Sequence, residues 1–454
     1  MAKTDSKKMG VVQLTILTAI NMMGSGIIML PTKLAQVGTM SILSWLVTAG
    51  GSMALAYAFA QCGMFSRKGG GMGGYAEYSF GKAGSFMANY TYGVSLLIAN
   101  IAIAISAVGY GAVLFGYELS PIAVCLATIA TLWFATVLNF KGPKVTGQIG
   151  SFTIWGVIIP VVVISTVGWF FFHPSMYIAS WNPNGTPFLE GVTASISMTL
   201  WAFLGLESAC ANMDAVENPK KNVPIAVLGG TIGAAVIYIV STNVMAGIVP
   251  NMDLAASNAP FGLAFSMMFG TTVGKIVTGL MVMSCFGSLL GWQFTIAEVF
   301  KGSAAEGYFP KVFAKITKDE APVVGMVIIT VIQSLLSLMT ISPNLNAQFT
   351  ILVNLAVVTN IIPYILSMAA VDVIMKSEMV DSRKTKLAMI TGFVGSVYSL
   401  YALYASGFEA MTYGSIVTFA GWVIYGFISY KYDMGKRSKE AHEKIAAIEA
   451  QNAI

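Results

Sequence analysis

The chain has 454 residues, of which 56% are apolar and only 10% charged, against about 25% charged in an ordinary soluble protein. That composition excludes a soluble enzyme, and the long apolar blocks exclude an outer-membrane barrel, whose strands show short alternating segments. The net charge of +5 is spread over short loops, so it reads as membrane topology and not as a nucleic-acid surface.

A helix needs about 20 apolar residues to cross a bilayer. In chain order the hydropathy pattern predicts an all-α polytopic membrane protein with twelve spans, at 11–36, 40–62, 84–116, 121–140, 148–172, 190–213, 223–249, 269–299, 322–341, 348–371, 387–406 and 412–430. A polar tail (1–10) leads straight into the first span, and no cleavable signal peptide is expected. Of the 25 Lys and Arg residues, all but Lys33 and Lys275 fall on one side of this arrangement. The positive-inside rule therefore predicts that both termini are cytoplasmic. The second tail, 431–454, contains KEAHEKIAAIEAQ and reads as a short exposed helix with a solvated face. Cys62, Cys125, Cys210 and Cys285 sit in or beside apolar segments, as small packing residues rather than a disulfide framework.

Two spans carry breaks. The first contains Asn21-Met22-Met23-Gly24-Ser25-Gly26 ahead of Pro31, and glycines at mid-span weaken a helix. Unwound backbone at membrane depth is tolerated where it lines a cavity or is buried in protein. A small-residue packing notch is the competing reading. The sixth span repeats the feature in Trp201-Ala202-Phe203-Leu204-Gly205-Leu206-Glu207. If five spans form a repeat, spans 1 and 6 are equivalent, and paired interruptions point to an inverted-repeat transporter site.

Glu207 is the one acid well inside a span. Such a residue costs about 2.5–3.5 kcal/mol at the bilayer centre on insertion scales and is a functional candidate by default. A structural carboxyl bonded to unwound backbone is the alternative. Trp201, Phe203 and Trp292 offer aromatic faces that can hold an ammonium group or simply pack. Asn100, mid-span, needs a hydrogen-bond partner, either a ligand amine or a neighbouring helix.

No phosphate-binding loop is present. Gly69-Gly70-Gly71-Met72-Gly73-Gly74 lacks the Lys of such a loop and is expected to be a flexible gate segment. His173 and His442 lie outside the spans. No metal or cofactor is expected, and the pattern is that of a secondary carrier.

These residues make the chain resemble the amino acid–polyamine–organocation transporters, in particular their basic amino acid/polyamine antiporter branch. The cues are Gly24-Ser25-Gly26, Gly73-Gly74-Tyr75, Phe203-Leu204-Gly205-Leu206-Glu207 and Glu217-Asn218-Pro219. KMGVVQLTIL, NMMGSGIIMLPTKLA and WAFLGLESACAN are similar to stretches of the branch's putrescine carriers. The resemblance implies a LeuT-like fold: a ten-helix core of two five-helix inverted repeats over 11–371, with spans 1 and 6 broken, and two further helices over 387–430. It implies that Gly24, Ser25 and Gly26 hold a substrate carboxylate, that Trp201 gates, and that Phe203, Gly205, Glu207, Trp292 and Asn100 complete the site. Tyr75, Glu77 and Tyr364 are similar to gating positions. The implied activity is putrescine transport with exchange for ornithine, by a bacterial inner-membrane protein with a homodimer as one possible assembly. Lysine–cadaverine or arginine–agmatine exchange is the same-class alternative; a channel or amine sensor is a different-class one.

Overall fold

The computed structural model describes residues 10–23, 26–207, 216–305, 307–339, 341–342, 344–429, 443 and 445. Every regular element among them is helical. The tails at 1–9 and 430–454, apart from 443 and 445, lie outside the described residues, as do Gly24, Ser25 and Cys210.

The chain opens with α1 (Val11–Met23) and α2 (Leu30–Val37), followed by α3 (Ser41–Phe65) and the long α4 (Met72–Phe115). Next come α5 (Pro121–Asn139), α6 (Pro143–Thr153), α7 (Trp155–Thr166) and α8 (Pro174–Ala179), then the short α9 (Phe188–Ala194) and α10 (Ile196–Trp201). The second half holds α11 (Pro219–Ala246), α12 (Asn251–Ala256), α13 (Pro260–Phe269), α14 (Thr271–Ala305), α15 (Val323–Met339), α16 (Leu345–Ser377), α17 (Ser382–Ala405) and α18 (Phe408–Ser429).

Among the described residues, nine helical segments are long and apolar enough to cross a membrane, with α6 and α7 counted as one. The other three expected spans are the 17-residue α15 and the two interrupted ones. The structure adds α8, α12 and α13 in stretches read from sequence as connections. α13 is apolar but only 10 residues long, too short to span. It packs on α14 through Gly262 and Gly274, where a Cβ would collide with the Thr278 and Ser266 side chains. Small residues let helix backbones approach in this way.

Helix ends follow local chemistry. Ser120 caps α5 ahead of Pro121, Asn344 caps α16, and Asp381 accepts from the amides of Arg383 and Lys384 at the start of α17. The glycine-rich segment divides in two: Gly69 and Gly70 are exposed and Gly71 precedes the helix. Met72, Gly73 and Gly74 form the first, buried turn of α4. A Cβ on Gly74 would meet the Gly69 carbonyl and one on Gly73 the Asn89 side chain, so these two glycines serve close packing.

α4 runs against α16 and α14, α11 packs on α1 and α3, and α17 closes on α3 and α16. The interrupted first span is anchored from several sides. The Tyr110 hydroxyl donates to the Ile28 carbonyl at 2.9 Å, which supplies a partner that the broken helix cannot. Beyond the break, Thr32 donates to the Ser257 carbonyl at 2.8 Å and the buried Lys33 to the Asn346 carbonyl at 2.6 Å.

Candidate functional site

The two breaks meet. A Cβ on Gly26 would lie 3.0 Å from the Cα of Ala202, so a side chain there would push on backbone. α10 ends at Trp201, and residues 202–207 form turns in which Gly205 has φ +107°, a conformation that favours glycine. A cavity opens beside this junction. Met22 and Gly26 line it from the first break, and Trp201, Leu204, Gly205 and Glu207 from the second. α4 contributes Tyr92, Ser95, Leu96, Ala99 and Ile103, α14 contributes Trp292, and α16 contributes Asn360.

Glu207 is buried in the wall of this cavity. Its Oε1 accepts the Tyr92 hydroxyl at 3.0 Å. Its Oε2 accepts the Tyr364 hydroxyl at 2.5 Å and the Gly205 amide at 3.1 Å. A carboxylate has about four acceptor positions, and the donors to Glu207 are two tyrosine hydroxyls and backbone amides, none of which carries a charge. Among the described residues no Lys or Arg lies within ion-pairing distance of it. The cavity therefore presents a hydrogen-bonded carboxyl group beside two indole rings, Trp201 buried and Trp292 half-buried. That arrangement suits a compact organic cation.

The structure brings Gly26, Trp201, Gly205, Glu207 and Trp292 to one wall, and Tyr364 touches it through Glu207. Gly24 and Ser25 lie outside the described residues. Phe203 points into the core, edge-on to Trp45 and Tyr238 at centroid distances of 6.1 and 5.5 Å. Asn100 is not in the cavity wall; its amide donates to Gln293 Oε1 at 2.8 Å. Tyr75 is buried in the first turn of α4. Glu77, two residues on, is ion-paired to Lys68 at 2.8 Å, also away from the cavity wall.

Sequence reading missed Tyr92, Ser95 and Asn360. On α4 the cavity face is Tyr92, Ser95, Leu96, Ala99 and Ile103, the spacing of one helical stripe. Asn100 lies about 80° from the centre of that stripe, past its Leu96 edge. Tyr92 could have been found by extending the stripe; Asn360 had no such signal, because nothing in α16 distinguishes it from Asn354.

The amino acid permease family model matches residues 9–428. The chain is 73% identical over 431 residues to a protein of Haemophilus influenzae named putrescine transporter PotE, covering 95% of this chain and 99% of that one. It is 70% identical over 434 residues to the Escherichia coli K12 protein of the same name, covering 96% and 99%. It is 33% identical over 412 residues to the Escherichia coli K12 cadaverine/lysine antiporter, covering 89% and 92%. With its apolar helices and a match over nearly its whole length, the chain is a membrane protein that belongs to the amino acid permease family.

Proposed function

We propose that the protein is a secondary carrier of putrescine that exchanges it for ornithine by alternating access. The observation that carries this reading is Glu207, a buried carboxylate in the cavity wall with no cationic partner among the described residues. Putrescine has two ammonium groups and no anion, so it needs anionic or aromatic partners at both ends. Glu207 takes one end and the Trp292 face the other. Ornithine adds a carboxylate, which the backbone amides of the first break can take. Identity of 70–73% to proteins named putrescine transporters supports the diamine, and 33% to the cadaverine/lysine antiporter makes lysine–cadaverine exchange the weaker reading.

In this reading twelve spans cross a bacterial inner membrane with both termini cytoplasmic, and spans 1–10 form two inverted five-helix repeats. The meeting of the two breaks at Gly26 and Ala202 supports that repeat. Moving putrescine outward against ornithine inward carries one net positive charge against an inside-negative potential. That costs about 2.3 kcal/mol per 100 mV, so concentration gradients drive that direction. Counterflow in proteoliposomes tests the proposal. Labelled putrescine should enter faster when ornithine is loaded inside, and a channel would show no such stimulation.

A further inference from the structure

The polar groups around the cavity do not all suit a cation. Tyr92 spends its hydroxyl on Glu207, and Ser95 donates to the Ala356 carbonyl at 2.8 Å. Two donors in the wall are left over. Asn360, 2% exposed, has an amide Nδ2 with at least one hydrogen left unbonded, and Trp201, 6% exposed, has an indole Nε1 with no hydrogen-bond partner. Tyr364 sits one helical turn along α16 from Asn360. Even if its hydroxyl oxygen took one of the two amide hydrogens, the second would remain. Buried donors left unmade are costly, and an acceptor that arrives with a ligand in this cavity would satisfy both.

A diamine brings none. Both its ends are ammonium groups, which only donate. An α-amino acid brings a carboxylate, which only accepts. We propose that Asn360 Nδ2 and Trp201 Nε1 form the side-chain subsite that tells an α-amino acid from the amine left when its carboxyl is lost. The inference rests on the exchange reading above and deepens it. The cavity then has an acceptor, Glu207, that both substrates use, and two donors that only the amino acid uses. Selectivity follows because a site built to hydrogen-bond a group discriminates against the analogue that lacks it.

The test is equilibrium binding to the purified full-length protein, with ornithine and putrescine, and with lysine and cadaverine as a second matched pair. Asn360→Leu keeps the shape of the side chain and removes its donors; Trp201→Phe keeps a ring and removes the indole N–H. In each variant the amino-acid affinity should fall relative to that of the matched amine by about ten-fold, the size of one lost charge-assisted hydrogen bond. Thermal unfolding and the elution profile of the same preparation serve as the control for folding, and the ratio of the two affinities is the readout, since Trp201→Phe also changes the ring beside the ammonium. Equal losses for both members of a pair in both variants would overturn the donor assignment and mean that the two groups hold water or only pack. A loss confined to the amine would overturn it too, by placing an ammonium on the Asn360 carbonyl. A wild-type protein that binds the amines but neither amino acid would instead sink the exchange reading, and this inference with it.

Discussion

The hydroxyl of Tyr364, on α16, donates to the carboxylate of Glu207 at 2.5 Å across a sequence separation of 157 residues. Tyr92, on α4, reaches the other oxygen at 3.0 Å. Two helices that pack along each other are thereby tied to the turn that ends α10. The tie is made to the group we assign to the substrate, so occupancy of the site and the packing of α4 against α16 are linked through one carboxylate.

Tyr364→Phe removes one of the two side-chain donors to the buried Glu207 carboxyl. The variant should lose about 1–3 kcal/mol of stability, the cost of an under-bonded buried acceptor. Saturating putrescine should return more of that stability than it adds to the wild type, because an ammonium can take the vacated lone pair. Thermal unfolding of both proteins, with and without putrescine, measures this. Unchanged unfolding of the free variant would mean that the hydroxyl contributes nothing to holding Glu207.

Trp292→Leu keeps an apolar wall and removes the ring face. A cation–π contact contributes about 0.5–2 kcal/mol, so putrescine should bind several-fold to about thirty-fold more weakly. Titration of purified protein checks it. Wild-type affinity would make Trp292 a packing residue.

Gln293, the next residue along α14, lies in a buried polar network. It accepts from Asn100, and its amide is within 3.1 Å of Thr136, Thr330 and Gln333, all of them buried. Gln293→Leu should lower stability by about 1 kcal/mol, since hydrogen bonds between membrane helices average about 0.6 kcal/mol in measured cycles. Its effect on putrescine affinity should be smaller than that of Trp292→Leu, because Gln293 is not in the cavity wall. Unfolding in denaturant, with binding measured on the same samples, separates the two effects.

Among the described residues, nine of the expected spans were legible as long apolar helices because the bilayer demands such a run, and that demand is written directly in composition. α13 was not legible as an element, since a 10-residue apolar helix looks like a span that is too short. Glu207 was legible for a related reason: a charge in an apolar run is costly enough to stand out. Gly26 and Gly205 stood out as breaks in two such runs. Asn100 stood out equally, but polarity at membrane depth does not say which way a side chain points. Its partner Gln293 comes from a helix 193 residues away, a pairing that no local pattern encodes. Tyr92 and Asn360 were hidden in the opposite way. Tyrosine is ordinary in a membrane helix and Asn360 shares α16 with Asn354, so only packing shows that one of them meets Glu207 and that the other lines the cavity.

The central claim is that Glu207 pairs with the ammonium group of putrescine, and its most direct test is putrescine binding to purified Glu207→Gln. Glutamine fits the same space and can still hydrogen-bond to Tyr92 and Tyr364, so the protein should fold and elute as the wild type does. Removing one partner of a buried charge pair costs about 2–5 kcal/mol, so putrescine affinity should fall by at least about thirty-fold. A folded Glu207→Gln protein with the wild-type dissociation constant would contradict the account.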